Sequence, residues 1–335
     1  MTRASALDQR TVGMEPLDTT PASKLWGVVL AGGEGVRLRA LARRICGDDR
    51  PKQYVPLLET RTLLRQTLDR VALCIPSART AVVTLRSHYG YFAQLSEGLR
   101  AEGHPHPRVL IQPADRGTAA AILFAAHWVA EQDPDAILAI FPSDHFVLGE
   151  ATLMAHVARV AAWTAAHPER VVLLGAQATA PEIEYGWIET GKPLSSDGGQ
   201  RIWEVRRFWE KPSEEKARIC LESGCLWNTF VLVGKAAAFL TLGQAALPAV
   251  SDRLARLRPF LGTEDETWAT HQAYDLLPKV NFSEAVLQPC AALLAVADLP
   301  HVTWSDLGTP RRVIDILKRS RAMPSWVQPS DLVAS

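Results

Sequence analysis

Glycines crowd one short stretch of this chain, Leu30-Ala31-Gly32-Gly33-Glu34-Gly35-Val36-Arg37-Leu38, and Pro51-Lys52-Gln53 follows soon after. Glycines just past a buried strand let backbone N–H groups approach phosphate oxygens, and a cation beyond them adds charge-assisted bonds. In outline this is a phosphate cradle. Taken alone it is equally a tight turn on a solvated loop. The surrounding charge shifts that balance, because Arg37, Arg39, Arg43, Arg44, Arg50 and Lys52 fall within sixteen residues of an otherwise neutral chain. Two familiar phosphate motifs are excluded: G-x-G-x-x-G would need glycine where Leu38 stands, and the P-loop would need lysine where Gly33 stands.

Phe141-Pro142-Ser143-Asp144-His145 ends a second apolar run. Polar residues at the carboxyl end of a parallel strand sit where open α/β sheets take ligands, and Asp144 is a hard oxygen donor suited to Mg²⁺. Adjacent Ser143, Asp144 and His145 cannot make the mutual bonds of a hydrolase triad, and no G-x-S-x-G elbow exists. His145 alone reads equally as structural. Five further stretches carry binding-capable groups: Gln112-Pro113-Ala114-Asp115-Arg116-Gly117-Thr118, Tyr185-Gly186-Trp187-Ile188-Glu189, Phe208-Trp209-Glu210-Lys211-Pro212, Leu226-Trp227-Asn228-Thr229-Phe230 and Trp304-Ser305-Asp306-Leu307-Gly308. Singly, each has an ordinary explanation: a helix cap, an exposed ion pair worth little, a core tryptophan, a turn aspartate.

The elements that must hold these residues are legible in outline. Short apolar runs at Leu25 to Leu30, Ala81 to Leu85, Val109 to Ile111, Ala136 to Phe141 and Val171 to Gly175 read as strands buried on both faces. Helical segments fit between them at Leu63 to Leu73, Ala119 to Gln132 and Thr152 to His167, which argues for a mostly parallel sheet flanked by helices. After Gln177, two alternating runs around Ser195-Ser196-Asp197-Gly198-Gly199 predict an antiparallel pair lying over that sheet. A capped helix at 213–223, helices from Ala245 to Lys279, a strand near Leu293 to Val296 and a terminal helix from Pro310 complete the expectation.

With 335 residues, 47% of them apolar, the chain can bury a sizeable core. Thirty-six basic residues balance thirty-six acidic ones, so the charge footprint of a nucleic-acid binder is absent. No run is long and apolar enough for a membrane span, and the first 23 residues lack a signal-peptide centre, which together predict a cytoplasmic protein without a membrane partner. Five cysteines without a C-x-x-C pair suit reduced thiols.

In their order along the chain, the glycine segment and the six other motifs resemble the sugar-1-phosphate nucleotidyltransferases, most of all the mannose-1-phosphate guanylyltransferases. The similarity covers roughly residues 25 to 320. It implies a Rossmann-like α/β fold with an antiparallel sugar-binding subdomain. The implied domains are a flexible tail at 1–23, a nucleotidyltransferase domain at 24–320 (nucleotide part 24–180, sugar-phosphate part 181–320) and a tail at 321–335. It also implies joining of GTP and mannose-1-phosphate to give GDP-mannose and pyrophosphate, with Mg²⁺ on Asp144 and Asp306. Arg37, Lys52, Asp144 and Lys211 would be the catalytic groups. Leu30, Ala31, Gly32, Gly33, Gly35, Arg37, Gln112, Pro113, Arg116, Thr118 and Asp144 would bind nucleotide. Tyr185, Gly186, Glu189, Glu210, Lys211 and Asn228 would bind sugar phosphate. The sequence departs from the family at Val36, where threonine is common, at Leu38-Arg39-Ala40 in place of Leu-Trp-Pro, and at Gly117, often asparagine. It ends 27 residues after Gly308, too soon for an appended C-terminal β-helix or isomerase domain, so a homodimer would have to form otherwise, or the chain stays a monomer. A different sugar-1-phosphate such as a manno-heptose or glucose, a non-catalytic nucleotide-sugar sensor, and a nicotinamide-dependent dehydrogenase are the alternatives.

Overall fold

The computed structural model describes residues 24–195 and 201–328. The expected tail at 1–23, the polar turn at 196–199 and residues 329–335 lie outside them. Strands β1 (Leu25–Ala31), β2 (Thr80–Leu85), β3 (Arg108–Gln112) and β4 (Ile137–Pro142) pair in parallel in the order β3-β2-β1-β4. Their alternating side chains enter two separate cores: Trp26 and Val28 face one layer, while Leu25, Val29 and Ala31 face the other. That is why these runs carry no polar alternation.

Five helices follow in the first part of the chain: α1 (Arg39–Cys46), α2 (Leu63–Ala72), α3 (Tyr89–Ala101), α4 (Gly117–Gln132) and α5 (Glu150–Ala166). Helices α2, α3 and α5 cover one face through Leu64, Leu68, Val71, Phe92 and Val157, and α4 covers the other with an almost wholly buried run from Ala119 to Val129. The expected strands, and the three expected helices among these (α2, α4 and α5), agree with the observed ones to within about two residues at each end, the ordinary uncertainty of an element boundary, whereas α1 and α3 answer to no segment expected from the sequence.

Beyond β5 (Phe146–Leu148) and β6 (Val171–Gln177), the sheet departs from expectation in two ways. The antiparallel pair β7 (Gly186–Ser195) and β8 (Ile202–Glu210) does not lie over the sheet but continues it. Strand β9 (Leu226–Lys235), read in the sequence only as a binding motif, stands in its middle. The full order is β3-β2-β1-β4-β9-β6-β10-β8-β7, with β10 at Leu294–Asp298. Only β8 and β9 run against the rest, so the sheet is mixed but mostly parallel. The reason for the closure is visible in register. Strand β4 pairs with Leu232 to Lys235 of β9 and leaves the first residues of β9 open on that side, where β7 pairs Trp187 with Trp227 and Ile188 with Leu226. An unpaired edge is thereby covered.

The remaining helices are α6 (Glu214–Glu222), capped by the Ser213 hydroxyl as expected, then α7 (Ala236–Ala246), α8 (Pro248–Ala255), α9 (Glu266–Tyr274) and α10 (Pro310–Ser320). Helix α10 packs Val313, Ile316 and Leu317 against Leu38, Ala42, Val55, Leu57 and Leu63, forming a satellite core apart from the two main layers. A short strand β11 (Thr303–Ser305) pairs antiparallel with β5. Among the described residues, no helix is long and apolar enough to cross a membrane. All five cysteines are free, and Cys220 and Cys225 pack in a small cluster with Trp187.

Candidate active site

Strand β1 delivers the glycine loop to the carboxyl edge of the parallel strands, and Gln53 holds it there. The buried Gln53 amide donates to the carbonyls of Ala31 (3.0 Å) and Gly33 (2.9 Å), bridging the start of the loop. Gly35 has φ +61° and lies so close to Lys52 that a Cβ would stand 2.7 Å from the Lys52 nitrogen, which only glycine permits. The satellite core beneath α10 then locks three segments together: the loop, the Lys52 turn and the stretch around Asp306.

Lys52 is the centre of that convergence. Its Nζ lies 3.2 Å from Oδ2 of Asp144 and donates to the Asp306 carbonyl at 2.5 Å, while its side chain is 10% exposed. Asp144 and Asp306, 162 positions apart in the chain, are both brought to Lys52, because β5 and β11 pair directly beside them. Their carboxylates have different surroundings. Asp144 lines the open cleft, whereas Asp306 accepts from Tyr185 Oη (2.9 Å), the Gly308 N–H (3.0 Å) and Arg312 Nη1 (3.0 and 3.1 Å to its two oxygens). Arg312 also holds Glu182 at 2.5 Å and lies 4.3 Å over the Tyr185 ring. Burial works to raise the Asp306 pKa, but the charges of His145, Arg312 and Lys52 with the Tyr185 bond bring it below the ordinary carboxylate value. Burial pushes the Tyr185 phenol up and the His145 imidazole down.

Two chambers adjoin this point. The first, of about 580 Å³, is lined by Leu30, Gly32, Gly33, Gln112, Thr118 and Asp144, with Asp115 and Lys279 at its side. Its far wall is a loop the sequence analysis did not single out, Lys279-Val280-Asn281-Phe282. That loop is clasped to the Arg116-Gly117-Thr118 turn by backbone bonds Val280 N to Arg116 O (3.0 Å) and Ala119 N to Val280 O (3.1 Å), and by Phe282 N to the Thr118 hydroxyl (2.8 Å). The clasp explains the departure at position 117. Gly117 has φ +78°, and a Cβ there would stand 2.8 Å from the Val280 carbonyl carbon. Lys279 pairs with Asp115, whose pKa is lowered by that lysine and the Gly117 N–H against the opposing effect of burial.

The second chamber is lined by Tyr185, Gly186, Glu210, Lys211, Asn228 and Trp304. Thr118, His145, Phe230 and Asn281 line both chambers, so they form one continuous cleft, and Arg37 reaches over it to pair with Glu184. Burial raises the Glu210 pKa, and its Oε1 accepts from Asn281 at 3.3 Å. Lys211 (φ +44°), Phe230 (φ +60°) and Leu307 (φ +48°) are non-glycine residues held in the left-handed region, and all three belong to motifs that border this cleft. Such strain persists only where surrounding structure fixes it, and it gathers at functional sites.

Four residues named from the sequence stand elsewhere. Ala31 is buried behind the loop, with its carbonyl bonded to Gln53. Pro113 turns to a separate polar crevice beside Arg86 and Arg108. Arg116 donates to the carbonyls of Tyr274 (2.9 Å) and Asp275 (3.2 Å) and borders neither chamber. Glu189 pairs with Arg206 at 3.2 Å on β7, outside both chambers. Conversely Gln53, Glu184, Lys279, Asn281 and Arg312 enter the site without having been picked out as site residues. A signal existed for Lys279-Val280-Asn281, where a cation and an amide follow Pro278 in a break between helices. For Arg312, one of two arginines at the start of a surface helix, there was none.

Comparison with known proteins bears on the family and the fold. A mannose-1-phosphate guanylyltransferase of Sinorhizobium fredii is 30% identical over 87% of this chain and 54% of its own length. The xanthan biosynthesis protein XanB of Xanthomonas campestris pv. campestris (strain B100) is 30% identical over 86% of this chain and 58% of its own. The chain thus spans just over half the length of these relatives. Among solved structures, one described as a mannose-1-phosphate geranyltransferase from Thermus thermophilus superposes with a TM-score of 0.73 at 29% identity, covering 90% of this chain and 80% of that one. The nucleotidyl transferase family matches residues 26–322, from the first strand past the last helix, and it is to this family that the chain belongs.

Proposed function

We propose that the protein joins GTP to mannose-1-phosphate, releasing pyrophosphate and forming GDP-mannose. The observation that carries this reading is the continuous cleft of two chambers with cationic Arg37 and Lys52 in a recess beside it, which shares Asp144 with the first chamber and Arg37 with the second, as a reaction between two anions requires. A sugar-phosphate oxygen attacks the α-phosphorus, the bond to the β-phosphate breaks, and pyrophosphate departs. The nucleophile is already an anion, so alignment and charge screening do the work and no general base is needed. Gly32, Gly33, Gly35 and Arg37 receive the triphosphate, Lys52 its phosphates, and Gln112 and Thr118 line the base end. Tyr185, Gly186, Glu210, Lys211 and Asn228 receive the sugar phosphate.

The reading includes Mg²⁺, and the donor chemistry suits it. Hard carboxylate oxygens completed by phosphate and water are what this ion takes, and Asp144 faces the cleft. Among the described residues no cluster of three or more potential ligands exists, so the substrates would complete the coordination. Asp306 would be the second carboxylate, giving up Arg312 to serve. When bound, the ion would offset charge between the two substrates. A cytoplasmic location, where thiols stay reduced, accords with five free cysteines.

The test is kcat/KM for GTP, ATP, UTP and dTTP with mannose-1-phosphate, read as pyrophosphate release, then a panel of sugar phosphates with the best nucleotide. GTP should exceed ATP by at least about a hundredfold, because a base site built for one hydrogen-bond pattern leaves groups unpaired with the other. Equal use of both would defeat the base assignment. A better sugar than mannose would overturn only the substrate's name.

A further inference from the structure

We infer that Tyr274, buried behind the first chamber, is a positioning residue that sets the Gln112 amide with its NH₂ toward the chamber, so that bases with a carbonyl are chosen over bases with an amine. The inference rests on the first chamber taking the nucleoside base and deepens that reading. Tyr274 is the last residue of α9 and wholly buried, and its Oη lies 3.1 Å from Gln112 Oε1 and 3.5 Å from the Ala120 carbonyl. A phenol has one proton, and the shorter contact takes it, which fixes the carbonyl end of the amide toward Tyr274.

The amide nitrogen is then left on the chamber side. Nε2 lies 3.3 Å from where a Cβ on Gly32 would stand, beside the glycine loop that lines the same chamber. Gln112 itself is 3% exposed, so its donor has little access to bulk water and waits for an acceptor on a ligand. Nothing lets the tyrosine turn away. Arg116 holds its carbonyl at 2.9 Å, and its ring meets Phe124 edge-on at 6.0 Å. Burial pushes the phenol pKa up, so it stays a donor throughout the working range. This also gives Arg116 a role that the sequence did not reveal: it fastens the end of the helix carrying Tyr274.

The chemistry of selection follows. Guanine O6 and uracil or thymine O4 accept from the Gln112 NH₂. Adenine N6 and cytosine N4 are amines, which would set donor against donor and leave both without a partner. Loss of the tyrosine hydroxyl frees the amide to turn over, presenting its oxygen to an amine instead.

The experiment is calorimetric binding of GTP, ATP, UTP and CTP to the full chain without sugar phosphate, for the wild type, Tyr274→Phe, Gln112→Leu and the double variant. The wild type should bind GTP more tightly than ATP and UTP more tightly than CTP. Tyr274→Phe should shrink both ratios roughly tenfold, the scale of one hydrogen bond. In the Gln112→Leu background the same substitution should leave the ratios unmoved. Unchanged ratios in Tyr274→Phe would overturn the inference and leave Tyr274 a packing residue, as would an equal effect with and without Gln112. Ratios that respond while UTP outbinds GTP would keep the inference and remove only the choice of GTP.

Discussion

Arg37 and Lys211 carry opposite kinds of information. Arg37 is half exposed, pairs with Glu184 and lines the second chamber and the recess that holds Lys52, so stability owes it little and transfer should owe it much. Arg37→Ala is expected to lose about 3 kcal/mol of transition-state stabilisation, roughly a hundredfold in kcat/KM, with an unchanged melting midpoint. Near-normal turnover would remove it from the machinery. Lys211 is held at φ +44°, which disfavours every residue but glycine and, less so, asparagine. Lys211→Gly should therefore keep or raise stability, by up to about 1 kcal/mol, while KM for the sugar phosphate rises. A variant that loses stability would show the lysine side chain to be structural. The sequence exposes the identity of such residues but not their backbone strain, because the backbone at 211 is held by a distant segment, the Lys211 N–H donating to the carbonyl of Tyr185 just before β7.

At the scale of elements, buried histidines on two helices make the fold sensitive to acid. His127 on α4 and His156 on α5 have their pKa values lowered by burial, and secondarily by Arg258 and Arg159, to about 4 in each case. The unfolded chain takes up these protons first, so their neutral burial costs nothing above about pH 6.5 and progressively more as pH falls to 4, by up to about 3 kcal/mol apiece. The melting midpoint should fall across that window, and His127→Gln or His156→Gln should flatten the slope; an unchanged slope in both would mean the imidazoles are not kept neutral. Helix α10 makes a different prediction. Ile316 is 3% exposed in the satellite core, and Ile316→Ala should cost about 2 to 4 kcal/mol and also lower turnover, since that core sets Lys52 against Asp306. Strands buried on both faces were legible because their apolar runs are continuous. Strand β9 is not, because its first half mixes Trp227, Asn228 and Thr229 and reads as a binding motif rather than an apolar run, although β6 and β7 both pair with it.

Across the whole molecule, the motifs near each sheet edge could be read from local residue types, whereas their meeting could not. Lys52, Asp144 and Asp306 come together through one two-stranded pairing and one satellite core, both of which join segments more than 150 positions apart. Arg312 belongs to that same long-range closure, and no local pattern announces it; the loop at Lys279 carries a local signal, the cation and amide after Pro278, but not its place against the Thr118 turn. What the closure produces is a cleft with room for two ligands and cations beside them, and the central claim is that it joins those ligands rather than merely holding them. The most direct measurement is product stoichiometry: GTP, mannose-1-phosphate and Mg²⁺ incubated with the full chain, with pyrophosphate and nucleotide sugar counted together. The account predicts one of each formed per turnover, only when both substrates are present, and nearly abolished in Asp144→Asn. Tight binding of nucleotide or nucleotide sugar with no pyrophosphate released from any substrate pair would contradict it.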